Sequence, residues 1–110
     1  MSGTPGIQAQ IKNEITSNPV MLYMKGTPQS PQCGFSAQVI RILDQYNVPY
    51  GTANVLDSDE LREGVKDFSS WPTIPQLYVN GKFVGGCDIT MEMHRKGELA
   101  NVLKDVPKKA

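Results

Sequence analysis

Apolar residues recur along this chain in different rhythms, and each rhythm predicts a different element. Ile7, Ile11 and Ile15 repeat every four residues, which marks one face of a helix running to about Ser17. Asn18-Pro19 ends it. Val20-Met21-Leu22-Tyr23-Met24 is an unbroken apolar run, the pattern of a short strand covered on both faces. A loop rich in Pro, Gly and Ser follows, from Lys25 to Gln32. Two interleaved sets, Ala37, Ile40, Leu43 and Val39, Ile42, Tyr46, then predict a helix from about Gly34 to Tyr46. Asn54-Val55-Leu56 predicts a second short strand. Asp57 with Glu60 reads as a capping box for a helix through Leu61, Val65 and Phe68. Trp71-Pro72-Thr73-Ile74-Pro75 interrupts the pattern. Gln76–Val79 and Lys82–Val84 flank Asn80-Gly81, a strong signal for a type I′ hairpin. Gly85-Gly86 leads into a last helical region from Asp88 to about Leu103.

The resulting order is α-β-α-β-α-β-β-α. Alternating β and α in the first half gives parallel strands, and the Asn-Gly turn makes the last two antiparallel. This predicts an α/β protein of thioredoxin-like architecture, a four-stranded mixed sheet flanked by helices on both faces. At 110 residues the chain makes one domain with a core of its own. We place that domain at 7–104, with a flexible leader over 1–6 and a fraying tail over 105–110. Lys+Arg and Asp+Glu are both 11, so the net charge is +0. This argues against a broad nucleic-acid footprint and against an anionic-membrane binder. No run approaches the ~20 apolar residues of a membrane span. Two cysteines do not suit a secreted disulfide scaffold and fit a reducing compartment. The start lacks the basic and apolar regions of a signal peptide, which leaves room for a removed transit peptide.

The chemistry centres on Cys33-Gly34-Phe35-Ser36. A C-x-x-C pair can close a disulfide, but here the second position is Ser36, and a hydroxyl cannot. One thiol remains, and it must react with or ligate something supplied from outside. Cys33 opens a helix, where roughly +0.5 charge and free N–H groups stabilise a thiolate. Lys25 at the end of the preceding strand adds positive potential. The competing reading is a buried, inert cysteine; the loop, the helix start and the small Gly34 favour exposure. Phe35 is either a packing aromatic or a shield against water beside the sulfur. Ile74-Pro75 is either a trans proline entering an edge strand or a cis turn. The turn would leave the Ile74 N–H and C=O free to pair with an extended peptide. Gly85-Gly86-Cys87-Asp88 would expose the Cys87 and Asp88 amides as an anion site. Asp88 is an N-cap, a ligand contact, or both. Cys87 is far from Cys33 in sequence and reads as a structural thiol. Together these pieces describe a groove for a short extended peptide, basic at one end through Lys25, Arg62 and Lys66. Taken singly, Arg62 and Lys66 are solvated helix charges, with Arg62 the better candidate. His94 reads as a surface residue, so a Cys-His nucleophile pair and a His-based zinc site lack support. Trp71 and the methionines read as packing.

Lys25-Gly26-Thr27-Pro28, Cys33-Gly34-Phe35-Ser36, Trp71-Pro72-Thr73-Ile74-Pro75-Gln76 and Gly85-Gly86-Cys87-Asp88 together resemble a single-domain monothiol glutaredoxin of the CGFS type. The likeness runs from about Ile7 to Leu103. Asn54-Val55-Leu56 followed by Glu60-Leu61-Arg62-Glu63-Gly64 is similar to the mitochondrial branch, with bacterial members close. Tyr50-Gly51-Thr52-Ala53 departs from the pattern, where relatives carry more aromatic residues. The resemblance implies a thioredoxin fold and a cis Pro75. It implies glutathione, or a glutathione conjugate, bound by Lys25, Cys33, Gly34, Phe35, Arg62, Thr73, Ile74, Pro75, Gly86, Cys87 and Asp88. It also implies a bridging [2Fe-2S] cluster ligated by Cys33. Such a centre needs four thiolates, so two protomers and two glutathiones would complete the set. The implied function is binding and transfer of that cluster in iron–sulfur protein biogenesis, with weak or no oxidoreductase activity. The implied partners are a second copy when cluster-bound, a BolA-type protein and apo iron–sulfur proteins. The implied compartment is the mitochondrial matrix, with the bacterial cytoplasm as alternative. The competing function is a monothiol thiol-disulfide oxidoreductase acting through a Cys33–glutathione mixed disulfide. A weaker third possibility is redox sensing through a Cys33–Cys87 disulfide.

Overall fold

A computed structural model describes residues 5–109. Its elements run α1 (Pro5–Ser17), β1 (Val20–Met24), β2 (Gly26–Thr27), β3 (Ser30–Pro31), α2 (Gly34–Asp44) and β4 (Gly51–Asn54). After a 3-10 turn (Val55–Asp57) come α3 (Asp59–Ser69), β5 (Gln76–Val79), β6 (Lys82–Gly85), α4 (Cys87–Lys96) and α5 (Glu98–Leu103). Four strands form one sheet in the order β4-β1-β5-β6. β1 is parallel to β4 and antiparallel to β5, and β5 is antiparallel to β6. This is the expected mixed sheet of thioredoxin-like architecture. None of the described helices is long and apolar enough to cross a membrane.

The unbroken apolar run of β1 has a direct cause. Side chains alternate across a strand, and both faces of this one are covered. Val20, Leu22 and Met24 join the core under α2 and the last helices, with Val39, Leu43, Leu77 and Leu99. Met21 and Tyr23 join the opposite core, with Ile11, Ile15, Val65 and Tyr78. The predicted α1 face is what that second core consumes, since Ile7, Ile11 and Ile15 are all buried. Gly64 lets α3 approach α1 closely: a Cβ there would stand 3.0 Å from Ile7 Cγ2. Asn80 and Gly81 both have positive φ, at 53° and 78°, as a type I′ turn requires.

Several expectations need correction. The second strand is Gly51–Asn54, not 54–56. Asn54 Oδ1 accepts the Leu56 N–H at 2.9 Å and turns the chain into the 3-10 segment, which buries Val55 and exposes Leu56. The α3 cap is Ser58, whose hydroxyl accepts the Leu61 N–H at 3.1 Å, and not Asp57. The loop after β1 is a small hairpin, β2 against β3. The last helix is two helices, because Gly97 takes φ 79° and ends α4. Pro5 and Gly6, assigned to the leader, already belong to α1, while residues 1–4 lie outside the described residues. The expected tail is anchored instead of frayed as far as Lys109. Val106 is buried, the Lys109 N–H donates to Asn47 O at 2.9 Å, and the Lys108 ammonium reaches Tyr46 O at 3.2 Å.

Candidate functional site

Cys33 is the N-cap residue of α2, with extended backbone (φ −152°, ψ 134°). This places its half-buried sulfur over the first turn of the helix. Burial pushes the thiol pKa up, but opposing contacts win and leave it lowered. They are the backbone N–H groups of Ser36 and Phe35, the Ser36 hydroxyl and the Lys25 charge. A thiolate is therefore the favoured form here more than for an ordinary cysteine.

Ser36 is fully buried. Its Oγ accepts the Lys25 backbone N–H at 3.1 Å and donates toward the Cys33 sulfur. One hydroxyl thus joins the end of β1 to the start of α2. The small hairpin continues this anchoring. The Gln32 N–H donates to Lys25 O at 2.9 Å, and the Gly26 N–H donates to Asn54 Oδ1 at 2.9 Å. Gly26 has φ 90°, and a Cβ there would lie 2.5 Å from Ser30 O, so only glycine fits beside Lys25.

The Ile74–Pro75 peptide is cis. Ile74 N–H and C=O have no partner in the hydrogen-bonded framework of the described residues. Gln76 holds the preceding loop: its side-chain amide donates to the carbonyls of Trp71 and Thr73, each at 3.1 Å. Tyr78 in turn donates to Gln76 Oε1 at 3.2 Å. Gly86 packs beneath this loop, where a Cβ would meet Pro75 O at 3.2 Å and Trp71 Nε1 at 3.5 Å.

These pieces enclose one groove of about 510 Å³. Lys25, Cys33, Phe35, Arg62, Thr73, Ile74, Pro75, Gly86, Cys87 and Asp88 all line it, as the sequence predicts. Gly34 does not; it lines a neighbouring hollow with Cys33, Phe35 and Cys87. Lys66, weighed above as a solvated charge, faces the groove, and so do Trp71, read above as packing, Pro72 of the same motif, and Ile89, which the sequence did not single out. Lys25, Arg62 and Lys66 make one end cationic. Arg62 is held by Asp59 at 3.2 Å, while its buried Nε has no hydrogen-bond partner. The opposite end is the start of α4. Gly86 is its N-cap, so the N-cap reading of Asp88 is corrected: Asp88 sits in the first turn. Cys87 is buried, and burial, Asp88 and Cys33 all push its thiol pKa up. His94 is half-buried, with Nδ1 2.5 Å from the Tyr46 hydroxyl, so it is a partnered residue at the surface and not a freely solvated one. Among the described residues no three His, Cys, Asp or Glu side chains converge as a metal site.

A family model described as glutaredoxin matches residues 20–84. Monothiol glutaredoxin-S15, mitochondrial, of Arabidopsis thaliana is 52% identical over 103 residues, covering 94% of this chain and 61% of that protein. Monothiol glutaredoxin-5, mitochondrial, of Lachancea kluyveri is 59% identical over 98 residues, covering 86% of this chain and 68% of that one. The chain therefore spans about two thirds of the length of these relatives. The solution structure of reduced poplar apo GrxS14 superposes with a TM-score of 0.83 at 47% identity, covering 94% of this chain and 95% of that one. A buckwheat glutaredoxin–glutathione complex does so with a TM-score of 0.81 at 26% identity, covering 91% of this chain and 89% of that one.

Proposed function

The chain belongs to the glutaredoxin family, among its monothiol members, and from that premise we propose that it binds glutathione beside Cys33 and carries a [2Fe-2S] cluster as cargo. The observation that carries this reading is the pairing of one accessible, pKa-lowered thiol with an adjoining groove. Ser36 supplies no second sulfur, and Cys87 is buried with a raised pKa. A [2Fe-2S] centre usually takes four thiolates. One Cys33 and one glutathione thiolate from each of two protomers supply four. Ligands of that kind leave readily, so the cluster can be handed on to apo iron–sulfur proteins, with a BolA-type protein as a further partner.

In this reading the glutathione carboxylates go to the two polar ends of the groove. Lys25, with Arg62, neutralises one, and the Cys87 and Asp88 amides receive the other at the α4 N-terminus. The free Ile74 backbone pairs with the peptide between them. Gly34, Phe35, Thr73, Pro75 and Gly86 shape the wall around the sulfur. The mitochondrial relatives support a place in the mitochondrial matrix.

Anaerobic reconstitution with iron, sulfide and glutathione tests the proposal. A coloured, glutathione-containing dimer is expected, and Cys33→Ser should abolish it. A wild-type protein that stays a colourless monomer under those conditions would sink the idea. The lowered Cys33 pKa also favours a second reading, attack of the thiolate on protein–glutathione mixed disulfides. Sustained turnover of a glutathionylated protein, without cluster uptake, would select it.

A further inference from the structure

The hollow beside the groove holds three sulfur atoms from three different side chains. Cys87 and Met91 are one helical turn apart on α4, with Sγ and Sδ 3.6 Å from each other. Both line a space of about 450 Å³ that Cys33 enters from the start of α2. Both thiols therefore face the same hollow. Gly34, Phe35 and Gln38 form the rest of the wall, and Asp88 is its only carboxylate. Met91 is 41% exposed and Phe35 is 62% exposed, so the hollow is open to solvent.

Thiolate and thioether donors are soft, and they select Cu(I) over ions that prefer oxygen or imidazole. A methionine side chain has three rotatable bonds, so its sulfur can follow a metal held by two thiolates. We propose that Cys33, Cys87 and Met91 form a three-sulfur Cu(I) site on this protein, which shares Cys33 and Cys87 with the glutathione groove and adds Met91. Binding needs both thiols as thiolates. Cys33 is predisposed to that state, and Cys87 gives its proton to solvent as the metal enters. Copper and cluster therefore compete for Cys33, and Cu(I) blocks cluster loading.

The test is an anaerobic titration of glutathione-free protein with Cu(I) held by a chromophoric chelator. The protein should withdraw one equivalent per chain. Cys87→Ser should weaken binding by about tenfold or more, and Met91→Leu by about threefold to tenfold. X-ray absorption should show sulfur scatterers only, one fewer in Met91→Leu. Failure to compete with the chelator overturns the site. So does wild-type affinity in both Cys87→Ser and Met91→Leu, which would leave Cys33 as a lone ligand. Met91→Leu also separates this proposal from the cluster reading, because it should lose copper affinity while still taking up the cluster.

Discussion

Replacing Ser36 with alanine should raise the Cys33 pKa and weaken the fold through two separable effects of one hydroxyl. The hydroxyl donates to the Cys33 thiolate and accepts the Lys25 N–H at 3.1 Å from a fully buried position. A hydrogen bond to a charged group contributes about 1.5–3 kcal/mol. Cys33 is partly open to water, which compensates some of the loss, so the rise in its pKa falls short of that full contribution. The second loss leaves the part-buried Lys25 N–H unpaired, at about 1–3 kcal/mol of stability. For a domain of this size that is a Tm drop of roughly 4–12 °C. The rate of Cys33 alkylation against pH, resolved from Cys87 by mass spectrometry, reads the first effect, and thermal unfolding reads the second. The direction with pH follows from linkage. Cys33 has a folded pKa below the ~8.5 of an unfolded cysteine. Its contribution to stability is therefore full above ~8.5 and lost as pH falls through the folded pKa. In Ser36→Ala that window should narrow. An unchanged alkylation profile together with a lowered Tm would refute the reasoning, since the hydroxyl would then serve the fold alone.

Asn54→Ala removes the one acceptor shared by the Gly26 and Leu56 N–H groups, each at 2.9 Å. It should cost about 1–3 kcal/mol in urea unfolding and speed hydrogen exchange across Gly26–Pro31. Gly86→Ala places a methyl 3.2 Å from Pro75 O under the cis-Pro loop. Overpacking there should cost about 1–3 kcal/mol and weaken glutathione binding, read by calorimetry; wild-type affinity would mean that the groove floor does not matter. Burial pushes Tyr50 and Tyr78 up to about 12, and Tyr23, also bonded to Glu14, higher still. With unfolded values near ~10, their contribution is full below ~10 and lost as pH rises through the folded values. Urea midpoints should accordingly fall from about pH 10 upward, and Tyr50→Phe should flatten part of that fall.

The fold was legible where periodicity and covering coincide. α1, β1, α2 and the Asn80–Gly81 hairpin each bury a face that the apolar spacing already displays. β4 was not, because Gly51-Thr52-Ala53 is a half-buried edge strand with no apolar alternation to read. The apolar pair Val55–Leu56 drew the strand two residues past its end at Asn54, since one Asn side chain redirects the backbone there. Asp57 and Ser58 are both good cap types, and only three-dimensional reach decides that Ser58 takes the Leu61 N–H. Most of the site was legible because Lys25, Cys33, Ile74 and Gly86 sit at loop–helix or loop–strand junctions punctuated by Gly and Pro. Ile89 reaches the groove only through tertiary packing, and no local spacing marks it, while Trp71 and Pro72 lie in a legible motif whose role at the groove was not. Gln76 did leave a signal, a polar residue opening a buried strand directly after a proline. Its amide satisfies two carbonyls of the loop it follows.

The two cysteines show why this site needs a partner from outside the chain. Each stands at a helix N-terminus, and that shared feature alone would lower both pKa values. The rest of each environment decides the outcome. Around Cys33, two backbone N–H groups, a hydroxyl and a lysine outweigh burial. Around Cys87, burial comes first, and the Asp88 carboxylate and Cys33 itself add to it. Ionising Cys33 thus makes Cys87 harder to ionise, so Cys33 is the first of the pair to become a thiolate. A single thiolate can attack a disulfide or hold one corner of a cluster, but it completes neither chemistry by itself. Only a soft cation, whose charge reverses the repulsion between the sulfurs, would recruit Cys87 as a thiolate. Otherwise the remaining sulfur must come from the groove, where the cationic Lys25 end, the free Ile74 backbone and the α4 amides converge on the space beside Cys33.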